Sequence, residues 1–137
     1  MEFDLYFNPL DIDEIGLKKD ELSLRLGDEI LIYGVEGGFP AIESAEIAII
    51  GVEEERNAYR NNGCKLAPNQ VRKYFYNLFP LEKKVNSVDL GNLKLGANVE
   101  DTYTSLADVL AELFRLRIIP IIIGGSQDIT FANYRGY

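Results

Sequence analysis

The sequence predicts an α/β fold, with three α/β/α layers around a mainly parallel sheet, preceded by a β-hairpin. From residue 45 onward, apolar runs of strand length alternate with segments of helical periodicity, the βαβαβ order typical of parallel sheets. Right-handed crossovers between such strands place the helices on the faces of the sheet. Apolar residues make up 47% and charged residues 26% of the 137-residue chain, which is the composition of a globular domain. We divide the chain into a hairpin extension, residues 1–44, and an incomplete βαβαβ domain, residues 45–137.

The N-terminal extension is predicted to contain the hairpin. Leucines alternate with polar residues between 22 and 26, which is the period of a half-buried strand. A second apolar run occupies 29–33, and the Gly27-Asp28 pair between the runs favours a type II′ turn, which needs glycine first. The glycine-rich segment 34–40 is typical of a loop.

The elements of the βαβαβ domain follow from apolar runs, helical periodicity and prolines. Residues 45–51 are rich in β-branched side chains and end in glycine, which favours a strand buried on both faces. Pro68 suits the first turn of a helix, and Pro80 marks its end. Between residues 98 and 117, apolar residues recur every three to four positions, the period of an amphipathic helix. The predicted elements are strands at 45–51, 87–91 and 118–123, and helices at 67–80, 98–117 and from 127 onward.

The composition excludes several classes of protein. Histidine is absent and Cys64 is the single cysteine, so this chain cannot form a Ser-His-Asp triad, a Cys-His pair, a His-ligated metal site or an internal disulfide. A net charge of −8 argues against a nucleic-acid-binding surface, which needs clustered Lys and Arg. The longest apolar stretch, 118–123, is too short to cross a membrane, and the acidic N-terminus lacks the pattern of a signal peptide. We expect a cytoplasmic protein with no membrane or nucleic-acid partner.

Three loops are candidates for function. Ligands of α/β folds bind beyond the carboxyl ends of the strands, which here are the loops 51–66, 89–97 and 124–128. In the third loop, Gly124-Gly125-Ser126 stands between a strand and a helix N-terminus. This tripeptide predicts either an anion or substrate site, since free N–H groups point there, or a tight turn that needs small residues.

The acidic residues of these loops leave similar alternatives open. The run Glu53-Glu54-Glu55 could bind a metal or a cationic substrate, or could simply be solvated. Asp89 and Asp128 each follow a strand, so they could share a site or separately cap a turn and a helix. Cys64 is interpreted as a small buried apolar residue rather than a nucleophile.

In combination, three motifs resemble the ureohydrolase family, which includes arginase, agmatinase and formimidoylglutamase. The first is the apolar strand and long loop that lead into Ala67-Pro68 and Val71-Arg72 at the start of a helix. The second is the strand end Asp89-Leu90-Gly91-Asn92, and the third is Gly124-Gly125-Ser126-Gln127-Asp128-Ile129-Thr130. The resemblance covers residues 45–134 and implies the N-terminal half of an arginase-like fold.

The resemblance also implies what the chain lacks. In the family, a histidine that binds one of two manganese ions occupies the place of Gln127, and a carboxamide oxygen is a weak neutral ligand by comparison. The family's other metal ligands lie in motifs downstream of this region, beyond Tyr137. We therefore expect no cofactor and no catalytic residue in this chain, although manganese is the metal of the family. The candidate substrate contacts are Asn57, Arg60, Asn61, Gly124, Gly125, Ser126 and Asp128.

Three functions remain open on this basis. The chain is interpreted as the N-terminal portion of a degenerate homologue without an intact binuclear manganese site, with a binding or structural role. Alternatively, it is a fragment of an active manganese-dependent hydrolase of linear amidines, or a structural subunit that docks a partner by an open sheet edge. In the family the third strand is interior, so residues 118–123 are expected to form such an edge. The expected partners are a second copy or a missing C-terminal half, and a small amidine or amino-acid-like ligand.

Overall fold

A computed structural model of the chain describes residues 1–17, 25–80 and 82–137. Its strands and helices are built around one sheet, and the predicted βαβαβ order is present from β3 onward. Among the described residues, no helix is both long enough and apolar enough to cross a membrane. In chain order the elements are a 3-10 turn (Phe3–Tyr6), β1 (Phe7–Asn8), α1 (Leu26–Glu29), β2 (Leu31–Ile32), β3 (Ile47–Val52), a 3-10 turn (Cys64–Leu66), α2 (Ala67–Phe75), β4 (Ser87–Leu93), α3 (Val99–Arg115), β5 (Ile119–Gly124) and α4 (Ile129–Gly136).

The sheet is mainly parallel, as predicted. Its order is β1-β4-β3-β5, and β2 also pairs with β4. The three longer strands are parallel, with Ile47 opposite both Ser87 and Ile119, and the register between β3 and β4 shifts by one residue between Ile49 and Gly51. The free side of β4 is shared by two short strands: β2 runs parallel to its first half and β1 antiparallel to its second half. The N-terminal extension therefore completes one side of the sheet.

Helices cover both faces of the sheet, so the predicted three layers are confirmed. Ala48 and Ile50 of β3 belong to a core cluster that includes the apolar faces of α3 and α4. The alternate residues Ile47 and Ile49 point to the other face, where they pack with Tyr76 at the end of α2. A strand whose two faces both meet helices has no polar face, which explains why β3 reads as a continuous apolar run.

The predicted hairpin turn is wrong. Gly27 and Asp28 lie within the helical turn α1, and the following strand β2 pairs in parallel with β4 rather than with a preceding strand. Residues 22–24, the start of the predicted first hairpin strand, fall outside the described residues. The Gly27 N–H donates to the carbonyl of Tyr76 at 3.0 Å, and a Cβ on Gly27 would lie 2.8 Å from the Cβ of Tyr76. The glycine thus serves close contact with the end of α2, a distant contact that local alternation cannot reveal.

β5 lies at the edge of the sheet, as expected for residues 118–123. Within the described residues it pairs with β3 alone. Ile119 is 63% exposed and Ile121 is 42% exposed, which is unusual for a strand of this composition in a parallel sheet. One row of its backbone hydrogen-bonding groups is therefore open to a further strand.

Candidate functional site

Two of the three predicted loops are fastened to each other by Arg56. Its side chain lies in the loop that follows β3, and its Nη1 donates to the carbonyls of Gly96 and Ala97, both at 3.1 Å, in the loop that follows β4. Its Nη2 donates to Oγ1 of Thr102 in α3 at 3.1 Å. The segment that follows β3 is consequently held against the next βα connection along the chain.

The acidic run that contains Glu54 is not simply solvated. Glu54 is fully buried, and both of its carboxylate oxygens accept hydrogen bonds from Arg56, the shortest at 2.6 Å. These hydrogen bonds lower the pKa of Glu54 despite its burial. Glu55 instead pairs with Lys65 at 3.0 Å, while burial raises the pKa of Glu53. The three carboxylates have separate surroundings, and among the described residues no group of three His, Cys, Asp or Glu side chains is arranged to hold a metal.

Asn57 and Asp128, two of the predicted contacts, are brought together by Tyr103 of α3. The amide Nδ2 of Asn57 donates to Tyr103 Oη at 3.2 Å, and Tyr103 Oη donates to Oδ2 of Asp128. We call these three residues the tyrosine link. Burial raises the pKa of Tyr103, and its bond to Asp128 adds to the rise. Burial alone would raise the pKa of Asp128 as well, but the nearby hydroxyl groups of Ser126 and Tyr103 outweigh it and hold that pKa below its ordinary value.

The glycine turn that follows β5 closes on the carbonyls of the neighbouring strand and loop. Gly125 N–H donates to the Val52 carbonyl at 2.9 Å, and Ser126 N–H donates to the Glu54 carbonyl at 2.8 Å. A Cβ on Gly125 would stand 2.2 Å from the Glu54 carbonyl oxygen, so only glycine permits this approach. With both N–H groups engaged, the geometry favours the tight turn over the anion site. Ligand contact by Gly124, Gly125 and Ser126 stays a prediction.

The remaining predicted contacts lie on the surface. Arg60 and Asn61 are exposed in the loop that follows β3, and the Arg60 guanidinium lies 5.1 Å from the ring centre of Tyr59. Arg60 has a φ of 54°, a left-handed backbone conformation that is uncommon for residues other than glycine. Gln127 is also exposed. These side chains thus lie in the segments that follow β3 and β5, and in the described part of the chain no hydrogen bond joins them to the tyrosine link.

Asp89 does not share a site with Asp128. Asp89 is fully buried on the α2 side of the sheet, where Arg72 Nε and Nη2 donate to its two oxygens at 2.7 and 2.9 Å. Tyr76 Oη also donates to Asp89. Burial alone would lower the pKa of Arg72, but the charge of Asp89 outweighs burial and raises it. The shared-site hypothesis is therefore wrong, because Asp89 is the partner of a buried arginine.

Sequence reasoning missed Tyr103 and the role of Arg72. Tyr103 is one of the regularly spaced apolar residues of the helix predicted at 98–117, a pattern that takes no account of its hydroxyl, yet a buried tyrosine hydroxyl normally has a hydrogen-bond partner. An aspartate at the end of a buried strand is a comparable signal, since a buried carboxylate requires a cation or several donors. Both signals indicate that a partner exists, but neither identifies it.

Most of the chain is similar in sequence to known proteins of one family. The profile of the family described as "Arginase family" matches residues 45–137. The formimidoylglutamase of Macrococcus caseolyticus is 28% identical over 113 residues, which cover 77% of this chain and 35% of that protein. The formimidoylglutamase of Streptococcus gordonii is 30% identical over 101 residues, which cover 69% of this chain and 30% of that protein. The chain thus spans about a third of the length of these relatives.

Solved structures show the same fold. The agmatine ureohydrolase of Thermoplasma volcanium superposes with a TM-score of 0.65 at 24% identity, over 72% of this chain and 36% of that one. The formiminoglutamase of Trypanosoma cruzi, solved with Mn²⁺, superposes with a TM-score of 0.62 at 18% identity, over 93% of this chain and 41% of that one. At these identities the likeness shows the architecture of the sheet and its helices.

Proposed function

The chain belongs to the arginase family, and from that membership we propose that it is the N-terminal part of a degenerate ureohydrolase homologue that binds a small amidine or amino-acid-like molecule without hydrolysing it. The observation that carries the proposal is Gln127. By the family resemblance it stands where a manganese-binding histidine is expected, and it supplies a neutral carboxamide.

The donors around Gln127 do not fit a pair of manganese ions. Oδ2 of Asp128, its neighbour, accepts from Tyr103, and Asp89 is engaged by Arg72 on the other face of the sheet. A metal-bound hydroxide needs several charged or imidazole ligands to lower its pKa. We therefore derive no hydrolytic step from these residues, and the role left to them is binding.

The alternative is an active manganese-dependent hydrolase of linear amidines of which this chain is one part. Its support is the set of relatives named formimidoylglutamase, of whose length the chain spans about a third. In that case the metal ligands would be supplied outside residues 1–137. The two candidates differ in whether a longer protein that contains this chain holds manganese.

Metal content and product release, measured on a longer protein that contains residues 1–137, separate the two candidates. That protein is incubated with Mn²⁺, desalted and analysed by mass spectrometry for metal, and its Gln127→His variant serves as the comparison. We expect substoichiometric manganese in the unaltered protein, no urea from agmatine and no formamide from N-formimidoyl-glutamate, with calorimetric binding of at least one of these compounds. Stoichiometric manganese in the unaltered protein, or release of either product, would overturn the degenerate assignment.

A second candidate function is docking through the open edge of β5. Its support is the exposure of Ile119 and Ile121 on a strand that pairs on one side only within the described residues. A strand of a partner can add to such an edge through backbone hydrogen bonds. The occupant would be a second copy of this chain or the remainder of a longer one.

A further inference from the structure

We infer that Tyr103 is the positioning residue of the candidate ligand site, because its hydroxyl holds the loop that follows β3 and the turn that follows β5 in one arrangement. The inference rests on the proposed function, and the predicted substrate contacts lie in these two segments. It adds a residue from α3, which lies outside both segments, and assigns the role to a single hydroxyl group.

The direction of the hydrogen bonds in the tyrosine link follows from the groups themselves. An ionised carboxylate only accepts hydrogen bonds, so Tyr103 Oη donates its proton to Oδ2 of Asp128. The same phenolic oxygen then accepts from the amide nitrogen of Asn57 at 3.2 Å. Oδ1 of Asp128 is buried and has no hydrogen-bond partner in the described part of the chain, so the bond that this carboxylate makes there is the one from Tyr103 to Oδ2. A phenylalanine could make neither bond.

The polarity of the link also orients Asn57. Its amide nitrogen donates to Tyr103, and the carbonyl oxygen Oδ1 of this exposed side chain accepts no hydrogen bond from the described residues. An acceptor beside the carboxyl end of the sheet matches a ligand that presents N–H groups, such as an amidinium or ammonium group. The tyrosine link therefore sets which end of Asn57 meets a ligand.

The hydroxyl of Tyr103 is fixed by the core rather than by the loop. Tyr103 is 8% exposed, and its ring meets the ring of Phe131 in α4 edge to face at 6.0 Å. The preceding residue, Thr102, is fully buried and accepts a hydrogen bond from Arg56 of the same loop. Thr102 and Tyr103, two consecutive buried residues of α3, thus hydrogen-bond to the exposed loop, so the packing of α3 in the core determines where the loop lies.

Amide hydrogen exchange tests this role without any ligand. Tyr103→Phe removes the hydroxyl and keeps the ring contact, and we expect amides in residues 55–63 to exchange on the order of tenfold faster, with those of β3 unchanged. Tyr76→Phe is the matched control, because it removes another tyrosine–aspartate bond on the opposite face of the sheet. We expect it to leave exchange in residues 55–63 unchanged. Equal rates in the loop for Tyr103→Phe and the parent chain, or equal acceleration in both variants, would refute the inference.

A mutant cycle distinguishes positioning from general structural support. The double variant Asn57→Ala/Asp128→Asn should accelerate amide exchange in the loop by less than the product of the two single accelerations, because both substitutions act through the hydroxyl of Tyr103. In the Tyr103→Phe background the same two substitutions should be independent. Coupling that persists without the hydroxyl contradicts the role. If Tyr103→Phe does not fold, Asn57→Ala at the exposed end of the link must reproduce the faster exchange. Failure of the chain to bind agmatine would count against the proposed function and leave these results standing.

Discussion

Replacing the buried Arg72 by methionine should cost the fold about 3–5 kcal/mol, because it leaves the carboxylate of Asp89 without its cation. Arg72 is fully buried and donates to both oxygens of Asp89, to Oδ1 of Asn92 at 2.6 Å and to the Gly91 carbonyl at 3.0 Å. After the substitution, the donors that Asp89 keeps among the described residues are the hydroxyl of Tyr76 and the N–H of Gly91. The remaining donors place the loss near the lower end of this range, about 3 kcal/mol.

Urea unfolding followed by circular dichroism at pH 7 measures the loss. With a denaturant slope of about 1.5 kcal/mol/M, the midpoint of Arg72→Met should fall by about 2 M. Lys73→Met is the matched control, since it makes the same replacement at the next, exposed position of α2 and should stay within about 0.5 kcal/mol of the parent chain. Adding Asp89→Leu should recover part of the loss, because it removes the unpaired charge. A loss below about 1 kcal/mol in Arg72→Met would refute the reasoning that Arg72 compensates the buried charge of Asp89.

Three further predictions concern the site and the sheet edge. Glu54→Gln should flatten the pH dependence of stability. Because the pKa of Glu54 is lowered in the folded chain, its pairing with Arg56 stabilises the fold above the ordinary pKa of 4.5, and this stabilisation is lost as the pH falls further. The urea midpoints of the parent chain at pH 6, 4.5 and 3 should therefore decline more steeply than those of the variant. Gly125→Ala should lower the melting temperature by several degrees, since the added Cβ would meet the Glu54 carbonyl. Gly38→Ala is the control and should change the melting temperature little, because no atom lies within 4 Å of its added Cβ. Similar melting temperatures for the two variants would contradict the close approach of the turn to the Glu54 carbonyl. Ile121→Lys should abolish any self-association measured by analytical ultracentrifugation, and a dimer that persists in this variant does not form through β5.

The parallel core of the fold could be predicted because its signals are local. β3 and β5 are apolar runs that end at or beside glycine, and α3 begins with Asn98 and Asp101 in reciprocal capping bonds before a regular apolar stripe. The hairpin turn could not be predicted, because Gly27 is in a helical turn for the sake of a contact with Tyr76, which is distant in the sequence. Alternation and turn composition describe neighbours along the chain, so they are silent about such contacts.

The candidate site was predictable as a place but not as a set of interactions. The rule that ligands bind beyond the carboxyl ends of parallel strands selected the loops that contain Asn57 and Asp128. Their common partner, Tyr103, lies 46 residues from the first and 25 residues from the second. Tyr103 occupies an apolar position of the helix, so the apolar spacing accounts for its ring and gives no information about its hydroxyl. The pairing of Asp89 with Arg72 was hidden for the same reason, since a charge within a helix does not reveal which face is buried.

The way in which the short strands β1 and β2 share one side of β4 limits how copies of this chain can combine. Each of these strands is two residues long, so within the described residues that side of the sheet offers no long free strand to which another could add. The six-residue β5 on the opposite side is the one long free edge among the described residues. Two copies joined edge to edge through β5 would use both free edges at once, which yields a closed pair related by a twofold axis. If copies of the described residues associate through β5, that assembly would stop at two copies.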